Sequence, residues 1–437
     1  MVPWLDLWVQ QIDIKGAYLN GILKETIYMR QPEGYSDGTD RVCKLNRTLY
    51  SLKQAGREWN QQLDLGLQSL QFKWLLSDPC TYIWCQGNKF QIITIWVDDL
   101  LIFTTTDNGM WLVKKQIASK WKVKDLGELA KIIGIEITRQ WHHPDGSISI
   151  FQKQYIESIL WKENMECANL VSMPMDCNNL PEPNPDQSVS NCSNLYTWLL
   201  GELQYIANCT RPDIIFAIHC LASYTANPSM QHQIMLKSVL KYLVGTRSHG
   251  ITYQKTTDQQ QIVRYVDAGF TNTDKKKSTT GITFITRGGA ILWRSKKQTL
   301  TALSITEAEY VALAHAGIDA WWLRNLHTEL DMPIQSSLPI RSDNLGAISM
   351  AKNPYLSPSS RHINLKLHSI QQLVANNTVT PEACHDAEQM ANILTKVIPR
   401  PKHQQHTSEL GIATVWRGVL RGSVEGLRTM WPASHPG

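Results

Sequence analysis

The chain contains no apolar run approaching the roughly 20 residues that a membrane-spanning helix requires. Its longest candidate is broken by Asp98 and Asp99, so a soluble protein is expected. No secretory leader is evident at its start, and its nine cysteines (43, 80, 85, 167, 177, 192, 209, 220 and 384) are not spaced as in a zinc ribbon or knuckle. An odd, irregular set of this kind reads as reduced thiols inside the cell rather than as a disulfide scaffold. No basic run exceeds Lys275, Lys276, Lys277, which leaves cytoplasm and nucleus both open. A charged content of 19% is ordinary for a folded soluble protein, and a net +5 permits a polyanionic partner without requiring one.

What is present is enough for two or three folded domains, because 437 residues exceed one typical domain. The central stretch is Ile92, Ile93, Thr94, Ile95, Trp96, Val97, Asp98, Asp99, Leu100, Leu101, Ile102, Phe103. Two β-branched runs flank an acidic pair, a pattern that predicts a hairpin with two negative charges at its tip. Adjacent carboxylates repel, so a divalent cation is their natural partner, and an ordinary solvated turn is the alternative. A third acid lies upstream, where Val9 to Ile14 reads as a strand carrying Asp13.

Asp13 to Leu19, then Leu49 to Trp59, then Trp96 to Leu101 resemble motifs A, B and C of the reverse transcriptase in copia-type LTR retrotransposon polyproteins. The order and spacing match; the usual tyrosine before the acidic pair is replaced by Trp96. The resemblance implies that Asp13, Asp98 and Asp99 gather two Mg²⁺ ions, with a primer 3′-hydroxyl attacking the α-phosphate of a dNTP. It also places Tyr18 beneath the sugar, where it would exclude a 2′-hydroxyl, and Gln54 beside the nucleotide. Lys53 and Arg57 either meet phosphate or face solvent. In the family a basic fingers region precedes motif A, and here Asp13 follows Met1 by only a dozen residues, so a chain lacking its fingers is expected.

From Thr48 the spacing of Leu49, Leu52, Trp59, Leu63, Leu67 and Leu70 predicts one amphipathic helix. Trp111 to Trp121 predicts another, with Lys114, Lys115, Lys120, Lys122 and Lys124 on a solvated face or along a nucleic-acid groove. Ile132 to Ile137 predicts a strand, and Tyr155 to Met165 a thumb helix. The prolines and asparagines of 174–185 predict a linker. Three helices follow, at Tyr196 to Asn208, Ile214 to Thr225 and Gln231 to Gly245. They resemble the family's connection region.

A second acidic set comprises Asp267 in a strand, Glu307 and Glu309 at a helix start, and Asp343 after another strand. In this order, with a hairpin from Gly281 to Trp293 between the first two, they resemble an RNase H domain. The resemblance makes Asp267, Glu309 and Asp343 ligands for two Mg²⁺ ions that drive hydrolysis of RNA in an RNA–DNA hybrid. Glu307, Thr306 or Ser304 would cap the helix. Where the family carries a fourth acid this chain has Asn392, which keeps an oxygen but no charge, so weaker holding of the second ion is expected. Glu388 is a candidate substitute one turn earlier.

The implied fold class is α/β (α+β): a reverse-transcriptase palm and thumb (1–173), a linker (174–195), a helical connection (196–258), an RNase H-like mixed-sheet domain (259–400) and a loosely ordered basic tail (401–437). Implied partners are an RNA template, a DNA primer, dNTPs and an RNA–DNA hybrid, with no membrane, in the cytoplasm within a virus-like particle or in the nucleus. Three readings stay open: RNA-directed DNA polymerase with RNase H; a truncated, impaired relic that at most binds nucleic acid; and an unrelated hydrolase using paired carboxylates.

Overall fold

The computed structural model describes residues 7–87, 89–139, 146–184, 193–255, 262–270, 277–353 and 369–415. Its first sheet is antiparallel, in the order Lys73–Trp74, Thr81–Gln86, Lys89–Trp96, Asp99–Thr104, Trp8–Ile14, Val123–Glu128. Strand alternation sends Ile12, Ile14, Ile93, Ile95, Leu100 and Ile102 to one face. There they pack on Trp59, Leu63 and Leu67 of the helix Ala55–Ser69 and on Met110, Val113 and Ile117 of the helix Asp107–Ala118. The other face carries Gln11, Asp13 and Asp99 beside a smaller apolar cluster around Leu7, Val9 and Leu129.

The helix predicted from Thr48 begins only at Ala55, because Ser51 adopts φ 74° and takes Leu49 and Leu52 out of the helical path. The second helix ends at Ala118, so Lys120, Lys122 and Lys124 lie beyond it. Lys114 pairs with Asp125 at 2.6 Å and Lys115 lies over the Trp111 ring. The strand expected over Ile132 to Ile137 is two short strands, Lys131–Ile132 and Ile135–Arg139, folded back at Ile133 and Gly134, both with positive φ.

A second antiparallel sheet joins distant parts of the chain, in the order Ile412–Thr414, His249–Tyr253, Ile148–Phe151, Ile135–Arg139, Lys131–Ile132. The tail is therefore not loose throughout: Arg400–Glu409 is a helix and Ile412–Thr414 an edge strand paired with His249–Tyr253, while residues 416–437 lie outside the described residues. His403 and His406 are buried under this helix, and His403 Nε2 meets the Asp213 carbonyl at 3.2 Å. The helices Lys153–Lys162, Ser193–Cys209, Ile215–Ala222 and Met230–Thr246 and the segment Ala391 to Ile398 share one hydrophobic core.

The third sheet runs Gly289–Lys297, Thr279–Thr286, Val263–Gly269, Leu338–Ser342, Val379–Ala383. Its first three strands are antiparallel and its last two join in parallel, the mixed arrangement expected of an RNase H-like domain. The long helix Ile305–Glu329 packs on it through alanines and Leu313. The far end of that helix meets the edge of the first sheet: Ser77 donates to Glu329 from its amide (3.1 Å) and hydroxyl (2.7 Å), and Trp322 Nε1 donates to the Ser77 carbonyl at 2.9 Å. Among the described residues no helix is long and apolar enough to cross a membrane.

Candidate functional site: two acidic centres

At the first centre, Asp13 and Asp99 are direct partners across antiparallel strands. Trp96 pairs with Asp99, so Val97 and Asp98 form a two-residue turn. Val97 holds φ 59°, a strained value for a β-branched residue, and its carbonyl accepts a 2.8 Å bond from Trp59 Nε1. The Asp98 carbonyl accepts from the Ile14 amide at 2.8 Å, tying the turn to the Asp13 strand. The three acids thus share one end of the sheet. Burial, then Asp98, then Asp99 push the Asp13 carboxyl above its ordinary range, against the opposing pull of Lys124 and Lys15. The Asp99 carboxylate accepts a 2.7 Å bond from Gln11 Nε2, a contact that sequence reasoning missed.

Tyr18 sits in the 3₁₀ turn Ala17–Asn20, half-buried, edge-on to Tyr50 at 5.1 Å, and the Thr48 hydroxyl donates to its carbonyl. Gln54 is the residue preceding the helix that packs on this turn. Gly21 permits the packing: a Cβ there would lie 2.5 Å from Thr48 Oγ1 and 3.1 Å from the Trp59 amide. Arg57 is committed elsewhere, with Nε on Glu58 at 3.0 Å and Nη2 on Glu25 at 3.4 Å, whereas Lys53 is exposed.

At the second centre, ligand atoms of Asp267, Glu309 and Asp343 all lie within 4.8 Å of one another. Among the described residues this is the one such cluster of three metal-competent groups, and the Asp13 hairpin does not close as tightly. Ser304 caps the helix by accepting from the Glu307 amide, and Glu307 reaches back to the Leu303 amide at 2.7 Å, which leaves Glu309 to face the strand. Glu309 Oε1 accepts from the Ala268 amide at 3.1 Å, while Oε2 is buried with no protein partner. Burial, reinforced by Asp267, pushes Glu309 up to about 9; Asp343 is raised by burial and by Asp267. A buried carboxylate oxygen without a donor, beside two further carboxylates, suits a cation.

The segment 391–395 closes over Asp267 because Gly281 has no side chain: a Cβ would stand 2.5 Å from Thr395 Cγ2 and 2.9 Å from the Ala391 carbonyl. Thr395 donates to Asp267 Oδ2, and Lys396 Nζ lies 4.0 Å from the same oxygen. Asn392 is buried and donates Nδ2 to Asp386 Oδ1 at 3.0 Å, leaving its own Oδ1 without a partner. Asp386, not Glu388, is the acid joined to this position, and it is held low by Lys402 and Asn392.

Residues 5–177 match the family described as Reverse transcriptase (RNA-dependent DNA polymerase). The chain is 34% identical over 409 residues to the Retrovirus-related Pol polyprotein from transposon TNT 1-94 of Nicotiana tabacum, a match covering 92% of this chain and 30% of that protein. It is 32% identical over 415 residues to the Retrovirus-related Pol polyprotein from transposon RE1 of Arabidopsis thaliana, covering 93% of this chain and 28% of that one. The chain therefore spans about three tenths of the length of these curated relatives. Among solved structures, LC11-RNase H1 in complex with an RNA/DNA hybrid aligns with 30% of this chain and 88% of its own, at 15% identity and a TM-score of 0.23. Residues 5–177 thus carry a reverse transcriptase segment, and over more than nine tenths of its length the chain is similar to part of retrotransposon Pol polyproteins.

Proposed function

We propose that this chain acts as an RNA-directed DNA polymerase and, at its second acidic centre, hydrolyses the RNA strand of RNA–DNA hybrids. The observation that carries the reading is the closure of Asp267, Glu309 and Asp343 to within 4.8 Å on a mixed sheet, in one chain with the Asp13–Asp99 hairpin pair. Asp13, Asp98 and Asp99 would hold Mg²⁺ at the first centre, and Asp267, Glu309 and Asp343 at the second. Bound there, the ions supply Lewis-acid stabilisation of the attacking and leaving oxygens.

The protein's own part is positioning. Trp59 and Ile14 hold the Asp98 turn, and Gln11 aims Asp99. Tyr18 packs beside the start of the helix Ala55–Ser69, where a sugar lacking a 2′-hydroxyl would be favoured. At the second centre Thr395 and the Ala268 amide fix the orientation of Asp267 and Glu309. Partners under this reading are an RNA template, a DNA primer, dNTPs and the hybrid, with sequence carried by base pairing rather than by protein contacts. The eight described cysteines are all unpaired thiols, which supports an intracellular setting, in a cytoplasmic particle or the nucleus.

A specific observation also favours the impaired reading for the nuclease half: Asn392, neutral and turned to Asp386, adds no charge to the trio. Cleavage of a labelled RNA–DNA hybrid by the full chain, with Glu309→Gln as control, tests the assignment. Cleavage lost in Glu309→Gln is the expected result, and cleavage that survives it contradicts the proposal.

A further inference from the structure

The second centre carries a cation of its own. Lys396 Nζ lies 4.0 Å from Asp267 Oδ2 and 3.9 Å from Asp386 Oδ1, between the trio and the acid joined to Asn392. The backbone fixes it there. Lys396 follows the 3₁₀ turn Met390–Leu394, and its amide donates to the Asn392 carbonyl at 3.1 Å. Two glycines let this segment close on the sheet: a Cβ at Gly269 would stand 2.6 Å from the Thr395 carbonyl, as one at Gly281 would meet Thr395 Cγ2. Asp386 is already neutralised, because Lys402 Nζ pairs with its Oδ2 at 2.8 Å.

To bridge two cations, Asp267 would give one oxygen to each. Its Oδ2 is instead taken by the Thr395 hydroxyl and faces the Lys396 ammonium, which leaves Oδ1 for one ion. Charge leads to the same count. The ionised carboxylates of Asp267, Glu309 and Asp343 are balanced by one dication together with Lys396. A second dication would leave two positive charges uncompensated beside buried groups, and Asn392, the residue placed to offset them, is neutral, buried and turned to Asp386. We propose that this centre takes a single divalent cation, held by Asp267, Glu309 and Asp343, and that the Lys396 ammonium permanently fills the place of a second. The proposal rests on the nuclease reading above. Fixed positive charge then stands where another ion would have to bind from solution, and the centre's demand for Mg²⁺ is that of one site.

Counting ions tests this without any cleavage. Mn²⁺ serves as the probe, since carboxylate sites that suit Mg²⁺ also take it. The full chain carrying Asp98→Asn/Asp99→Asn, which silences the first centre, is titrated and followed by electron paramagnetic resonance. The expected result is one bound Mn²⁺ per chain with an uncoupled six-line spectrum, lost in Glu309→Gln and kept in Lys396→Arg. Lys396→Met/Asn392→Asp, which removes the ammonium and restores an acid, should bind two ions with the spin coupling of a pair about 3.5–4 Å apart. Two coupled ions in the parent, or fewer than two in Lys396→Met/Asn392→Asp, overturns the inference and leaves the nuclease reading to stand on hybrid cleavage. A parent that binds no Mn²⁺ overturns both.

Discussion

Gln11 Nε2 donates to Asp99 Oδ1 at 2.7 Å, across the strand pair that also sets Asp13 opposite Asp99. Gln11 and Asp13 are two residues apart on one strand and so share a face, which makes the glutamine a neutral brace within an acidic cluster. Gln11→Ala should lower the rate of primer extension about tenfold, with little change in melting temperature, since a charge-assisted bond of this kind is worth roughly 1.5–3 kcal/mol. Gln11→Glu should lower it further, by setting a third carboxylate against Asp99. Single-nucleotide extension kinetics check both, and an unchanged rate in Gln11→Ala removes the bracing role.

Tyr18 is the candidate sugar-sensing residue. Tyr18→Ala should raise ribonucleotide incorporation relative to deoxyribonucleotide, because under the proposed function the ring, edge-on to Tyr50 and beside the helix start, would fill the space a 2′-hydroxyl needs. Competition between the two nucleotides on one primer measures this, and unchanged selectivity withdraws the assignment.

Glu309 links stability to pH. Its folded value of about 9 lies above the ordinary 4.5, so without divalent cation its contribution is complete below about pH 4.5 and lost as pH rises through about 9. The unfolded chain releases this proton first. Asp343, also raised, acts in the same direction. The melting temperature of metal-free protein should therefore fall from about pH 5 to about pH 9, and stabilisation by Mg²⁺ should be larger at the alkaline end, where the cation competes with fewer protons. Thermal melts with and without Mg²⁺ check it. Glu309→Gln should flatten the metal-free dependence.

Asn392→Asp restores charge near the trio and also sets a buried carboxylate 3.0 Å from where Asp386 Oδ1 now accepts. Metal-dependent cleavage should rise while the metal-free melting temperature drops. The double variant Asn392→Asp/Asp386→Asn, which swaps the pair, should keep the gain and recover the stability. Cleavage that does not rise in either variant counts against a role for charge at 392.

Arg211 and Asp213 form a fully buried pair, with Nε and Nη2 on the carboxylate at 2.9 and 2.7 Å and the Tyr242 hydroxyl donating to it at 2.8 Å. Asp213→Asn should cost about 3–5 kcal/mol in urea unfolding, because it leaves a buried guanidinium uncompensated. A loss below about 1 kcal/mol would show the pair to be dispensable.

The acids were legible because their signals are local. Asp13 lies between Ile12 and Ile14 in a strand-like stretch, and the Asp98, Asp99 pair falls between two apolar, β-branched runs, which places the turn between Trp96 and Asp99. Their meeting in space required the register of three strands, which the resemblance implied and the pairing of Asp13 with Asp99 now displays. Gln11 carried no signal, since a glutamine in a strand reads as solvent-facing until its partner is known. The pairing of Asn392 with Asp386 was hidden for the same reason. The helix Arg400–Glu409 was missed because its polar sequence resembles a tail; its buried residues are His403, His406 and Thr407, so no apolar periodicity marks it. Leu49 and Leu52 misled in the opposite sense, extending an apolar spacing past the φ 74° residue at Ser51.

Under the proposed function one chain holds two separable acidic centres, one for polymer synthesis and one for hybrid cleavage. The most direct measurement is primer extension on an RNA template, together with hybrid cleavage, by wild type, Asp98→Asn and Glu309→Gln under Mg²⁺. Asp98→Asn should lose extension and keep cleavage, and Glu309→Gln should do the reverse. Extension unaffected by Asp98→Asn, or absent from the wild type, contradicts that function.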